Sequence, residues 1–167
     1  MKKSLLALLV LFAFVTGCKK DDDKNPSADT KTLLTKTWIA SKVAGNASGI
    51  SITVYTRGAS TNLYDKFKNF SVSLKSDGTY SSNDTEGTTT TGTWALSSDN
   101  KTLTLTASNG AKVVYTVNSV SSTAASFKYT IDLNAQSTFV TAIVQLAAAQ
   151  GVTVKTGDYL TFDVIPQ

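Results

Sequence analysis

Histidine is absent from this chain of 167 residues, and that absence removes more chemistry than any residue present supplies. No Ser-His-Asp or Cys-His arrangement can be built, and no histidine-ligated zinc or iron site. Cysteine occurs once, as Cys18, so no disulfide staples the chain. Outside residues 19–24 the Lys and Arg residues are scattered, and with no basic cluster the electrostatic footprint of nucleic-acid binding is missing. One long apolar run is present, Leu5 to Val15. Its eleven residues fall short of the about 20 that span a bilayer. Chemistry, if there were any, would rest on carboxylates, Lys, Tyr or a hard cation; no cofactor is expected, and the chain does not read as an enzyme.

The start of the chain is where the most specific pattern lies. Met1-Lys2-Lys3 is positively charged, Leu5–Val15 is apolar, and Val15-Thr16-Gly17-Cys18 follows. The short apolar segment has the length of a signal-peptide core. This arrangement resembles a bacterial lipoprotein signal, with VTGC as a variant lipobox. The resemblance implies cleavage after Gly17 and lipidation of Cys18, so that residues 1–17 form the leader. Several acyl chains at about 0.8 kcal/mol per buried CH₂ would make such an anchor stable.

Removing 17 of 167 residues leaves 150, and losing Lys2 and Lys3 takes the formal charge from +4 to +2. A chain of that size buries roughly 68–70% of its unfolded surface, enough for a core without staples. Residues 18–32 read as the lipidated cysteine and a charged tether, because Lys19-Lys20-Asp21-Asp22-Asp23-Lys24 and the residues after it cannot bury enough apolar surface to fold. Lys20-Asp21-Asp22 also resembles the export signal of Bacteroidetes-type surface lipoproteins. That resemblance implies an outer-membrane protein facing outward, the alternative being one that faces the periplasm.

From Trp38 onward the chain reads as short strands with period-two alternation between turn residues. Trp38–Val43 is a first strand, and Ile50, Ile52 and Val54 mark a second. Residues 58–66 are polar, with room for one helical turn carrying Leu63 and Phe67. Phe70, Val72 and Leu74 lead to Asp77-Gly78, a hairpin turn returning through Tyr80. Trp94 and Leu96 turn through Asp99-Asn100 to Leu103 and Leu105; Asn109-Gly110 precedes Val113, Tyr115 and Val117. Phe127, Tyr129, Ile131 and Leu133 alternate most regularly, and Leu160, Phe162 and Val164 close the chain. Eight or nine strands joined by hairpin-length connections predict an all-β antiparallel meander barrel over residues 33–167. One segment breaks the pattern: residues 135–150, alanine-rich with Phe139, Ile143 and Leu146 at helical spacing, predict a helix with Asn134 as N-cap and Gly151 as its stop. A strand over 138–146 competes with it.

Leu34–Trp38, Phe70–Tyr80 (FSVSLKSDGTY), Thr91–Leu96 (TGTWAL) and Lys101–Leu105 resemble, in that order, the lipocalin-like domains of Bacteroidetes-type lipoproteins. The resemblance covers residues 33 to about 133 and implies a barrel with an internal cavity, without catalytic residues to carry over. Trp38, Tyr55, Phe70, Trp94, Tyr115 and Tyr129 are the candidate ligand-binding residues; as strand aromatics they serve equally as barrel core. Asp77 and Asp99 resemble pieces of a calcium loop, but they lack the repeated acidic spacing and are explained by turn chemistry. Asp158, Asp163 and Glu86 could in principle supply a carboxylate pair for glycoside hydrolysis, though nothing in the linear sequence brings two together. The expected function is a lipid-anchored, non-enzymatic binding module for a small apolar or amphipathic ligand. The alternative is an interaction subunit of a surface complex with a filled barrel.

Overall fold

Alternating apolar and hydroxyl-bearing side chains become nine strands in a computed structural model that describes residues 29–135 and 137–167. The expected leader, Cys18 and the Lys20-Asp21-Asp22 segment lie outside the described residues. The strands are β1 (Thr37–Ala47), β2 (Ile50–Thr56), β3 (Ser71–Leu74), β4 (Thr79–Asn83), β5 (Thr89–Leu96), β6 (Thr102–Ala107), β7 (Lys112–Val120), β8 (Ala125–Thr130) and β9 (Tyr159–Pro166). Two helices accompany them, α1 (Thr30–Leu34) and α2 (Thr138–Ala149), with a 3-10 turn at Asp65–Asn69. The fold is therefore mostly β, as the alternation predicts.

Eight strands close a barrel. Every neighbouring pair is antiparallel, and β1 meets β9 to complete the circle. β2 is the extra strand. It pairs with β1 alone, along Lys42–Ala47, while the lower part of β1 (Thr37–Ile39) pairs with β3. β1 is long enough to serve both partners on one edge and β9 on the other. A bulge between Val43 and Ala44 bends the β1–β2 pair.

The registers define two ends. The turns β3–β4, β5–β6 and β7–β8 share one end with α1, which we call proximal. The turns β1–β2, β4–β5 and β6–β7 share the other, distal end with α2. Inward positions alternate along each strand: Leu103 and Leu105, then Leu160, Phe162 and Val164, are buried while their neighbours are not. At Gly92, where β5 crosses close to β6, a Cβ would collide with the Thr106 carbonyl oxygen, so only glycine fits.

Two expectations are corrected at the helices. The tether was expected to run to residue 32, yet α1 already begins at Thr30 and its Leu34 is fully buried. The longer helix was expected over 135–150 with Asn134 as N-cap; it spans Thr138–Ala149 with Ser137 as cap, whose Oγ accepts the Val140 N–H at 3.1 Å. Asn134 instead donates its backbone N–H to the Asp132 carboxylate at 2.9 Å, a local turn that competes with helix initiation. The stop at Gly151 holds: its φ is +72°, and the N–H groups of Gly151 and Val152 donate to the carbonyls of Ala148 and Ala147. The strand alternative over 138–146 is not what forms.

Candidate functional site

The proximal end is plugged. Trp38 lies in β1 with its side chain fully buried, and its indole N–H donates to the Leu34 carbonyl at 2.9 Å. Trp94, opposite in β5, donates to the Lys75 carbonyl at 2.8 Å. Each indole thus satisfies its one donor on backbone, which is what a buried tryptophan needs. The Lys31 ammonium sits 5.6 Å from the Trp94 ring and that of Lys36 5.2 Å from the Trp38 ring, so cations cover the plug from outside.

Above the plug the barrel is filled by rings in mutual contact. Phe162 is the hub: its ring centroid lies 5.1 Å from Phe70, 5.7 Å from Phe67 and 6.1 Å from Tyr115. Tyr55 meets Phe67 at 6.2 Å, and Tyr129 bridges Tyr115 (5.9 Å) and Phe139 of α2 (5.6 Å). These are edge-to-face and tilted contacts, the favoured arrangements for aromatic pairs. Enclosure among them pushes the Tyr115 phenol well above its ordinary range, so it stays protonated.

The candidate aromatics are therefore brought together, four as interior packing and two as the plug. None of the six lines either of two hollows found among the described residues. The first hollow lies at the distal mouth, beneath α2. Its walls are apolar, with Ile52, Val54, Ile131, Ile143, Val154 and Leu160 among them, and its volume is about 40 Å³. A drug-sized ligand occupies about 300 Å³ or more. The mouth under α2 is a packing gap on that scale.

The second hollow lies outside the barrel, between β2 and the segment that folds back after it. Thr53, Val54, Thr56, Ala59, Thr61 and Leu63 are among its walls, its volume is about 310 Å³, and no charged residue borders it. The returning segment is pinned at two points. The Asn62 carboxamide oxygen accepts the Thr56 N–H at 2.7 Å, and the Tyr64 N–H donates to the Val54 carbonyl at 3.2 Å. Sequence reasoning missed this hollow, because the polar segment 57–64 has no periodicity to say where it folds. Leu63, expected on a helical turn, lies before that turn and is 42% exposed; Phe67, on it, is fully buried.

The carboxylates do not converge. Glu86, in the β4–β5 turn, accepts the Tyr64 hydroxyl at 2.9 Å and the Lys66 ammonium at 2.6 Å, and these bonds hold it below the usual carboxylate range. Asp163, mid-strand in β9, accepts the Ser126 hydroxyl at 2.8 Å. Asp158, at the distal end, accepts the backbone N–H groups of Ser48 and Lys155. Asp77 and Asp99 each bind the N–H two residues on, closing their own turns. Each carboxylate is committed to a different local bond, and among the described residues no acidic cluster forms that could hold a metal ion.

Two stretches at the distal end lack charge. Residues 43–56, which span the upper half of β1, the turn and β2, carry no charged side chain; nor do residues 133–154, which contain α2. Ile50 at its rim is 54% exposed. Among known proteins, no family model matches the chain and no curated protein matches it.

Proposed function

We propose that the protein is a lipid-anchored, outward-facing interaction module of the lipocalin-like kind, non-enzymatic, whose barrel is a solid support and whose distal end meets a partner. The filled interior carries this choice: a barrel packed ring against ring, with only about 40 Å³ left at its mouth, supports a scaffold better than a carrier. The chain enters the described fold at the proximal end through α1. An anchor on Cys18 would hold that end towards the membrane and the distal end, with its uncharged β1–β2 hairpin and α2, away from it.

Carriage of a small amphipathic ligand is the second reading, favoured by the hollow of about 310 Å³ beside β2. One experiment separates the two. A photo-crosslinking residue is placed at Ile50 (distal) or Thr123 (proximal) in the full chain, in its native membrane. Protein adducts from the distal position alone are expected. If both positions stay free of adducts, and the purified chain saturably binds the neutral dye N-phenyl-1-naphthylamine at micromolar concentration, carriage replaces the interaction reading. The anchor has its own test: Cys18→Ser should abolish metabolic labelling with palmitate.

A further inference from the structure

Among the described residues β2 is the one strand outside the closed barrel, and it presents an outer edge that no other strand covers. The two-residue turn Ser48-Gly49, with φ of +52° and +81°, makes Ala47 and Ile50 the closing pair of the hairpin. Antiparallel alternation then directs the backbone groups of Ile50 and Ile52 towards β1 and those of Ser51 and Thr53 away from it. Below Thr53 the same edge is already used. The Tyr64 N–H bonds to the Val54 carbonyl, and the Asn62 side chain bonds to the Thr56 N–H. The molecule's own returning segment satisfies the lower half as an added chain would, and it stops short of the upper half.

Natural edge strands are usually guarded by charge or proline. Neither occurs between Val43 and Thr56. Beside the open half lies one receptacle, the uncharged hollow walled by Thr53 and Leu63. A strand added here would find main-chain partners at a two-residue repeat and a hollow beside them for a side chain, the arrangement by which sheet edges capture peptides. A charged side chain would find no counter-charge in that hollow.

We infer that the upper half of β2, Ile50–Thr53, takes an extended, uncharged polypeptide segment as an added strand. This rests on the interaction reading and names the site and the class of partner.

The test uses the full chain in mild detergent and a dye-labelled, C-amidated peptide Thr-Val-Thr-Val-Thr-Tyr, followed by fluorescence anisotropy. Saturable binding is expected, with at least tenfold weakening for the same peptide N-methylated at alternate residues. Ser51→Pro removes an outward N–H while sparing the ladder to β1, and should weaken binding at least tenfold with an unchanged circular dichroism spectrum. Should that variant misfold, hydrogen exchange on the wild-type chain decides: the Ser51 and Thr53 amides should slow several-fold when peptide is added. Unaltered exchange at both amides, or equal binding of the N-methylated peptide, overturns the inference. So does binding that survives Ser51→Pro and is lost in Leu63→Lys, which would put the probe in the hollow as a small ligand. If distal crosslinks form on the membrane while the peptide fails, the edge is wrong and the interaction reading stands.

Discussion

The two ends of the barrel solve opposite problems. At the proximal end, large side chains are buried with their polar atoms matched: Leu34 and Trp38 are fully buried, both indoles donate to backbone, and lysines lie over the rings. At the distal end a charge-free helix lies across the mouth, one strand keeps an open edge, and an apolar residue stands in solvent. On the proposed reading the contrast separates stability from recognition within one small sheet: one end is built from few, large, satisfied groups, and the other leaves backbone groups and shallow concavities unfilled.

That contrast can be broken by mutation. The largest effect is expected from Trp38→Ala, which empties the plug and removes the Leu34 hydrogen bond. Unfolding in urea should show a loss of about 3–5 kcal/mol. Ile143→Ala, on the buried face of α2, should cost about 2 kcal/mol, the low end for such truncations, because a surface helix can settle into the gap. If the two losses were equal, the mouth would be as firmly built as the plug and the division of roles would fail. Ser137→Ala deletes the cap of α2 and should cost about 1 kcal/mol. It sharpens the comparison if hydrogen exchange accelerates in α2 while the β1 amides are unchanged.

The smallest effect is expected from acid. Glu86 is held low by Lys66 and Tyr64, Asp65 by Lys68 and Asn62, and Asp77 and Asp99 by bonds within their turns. A carboxylate with a depressed folded-state pKa contributes stability above its unfolded value, and that contribution is lost as pH falls through the folded value. The thermal midpoint should therefore hold from pH 8 to 6, where there is no histidine to titrate, and decline modestly below the ordinary carboxylate range. All four groups are exposed and screened, so the decline should be shallow. A steep loss near pH 6 would contradict it.

Much of the barrel was legible in the sequence because its strands are half-buried. Leu103 and Leu105 face in while Thr102 and Thr104 face out, and Asp77-Gly78 and Asn109-Gly110 punctuate the hairpins. Two things were not. The separate status of β2 depends on β1 being long enough to change partners midway, and alternation within each strand is blind to that choice of neighbour. That the candidate aromatics line neither hollow has a related reason. Period-two patterning puts Tyr55 out of phase with Ile50, Ile52 and Val54, and Tyr55 is buried beyond the register shift at Val54. It says that Phe70, Tyr115 and Tyr129 point inward, but not whether rings from opposite walls meet. They do meet, through Phe67, Phe139 and Phe162, and that contact filled the space a ligand would need. The start of α2 was misread by three residues because Asn134 and Ser137 are both good caps, and only Asp132 drawing Asn134 into a turn decides between them.

The seam between β1 and β9 sets an order of events in folding. Ser41 in β1 bonds across to Asp163 in β9, 122 residues along the chain, whereas nearly every other strand pair joins sequence neighbours. Hairpins of that local kind assemble quickly; a contact spanning most of the chain must wait. While the ribosome has yet to deliver Tyr159–Pro166, β1 and β8 each have one bare edge, and Val43 and Phe127 both lack Phe162, their shared partner on β9. A nascent chain stalled or clipped before β9 would thus be an open sheet with an uncovered core, the form most prone to aggregate. The last eight-residue strand is where this barrel stops being a hazard to its neighbours.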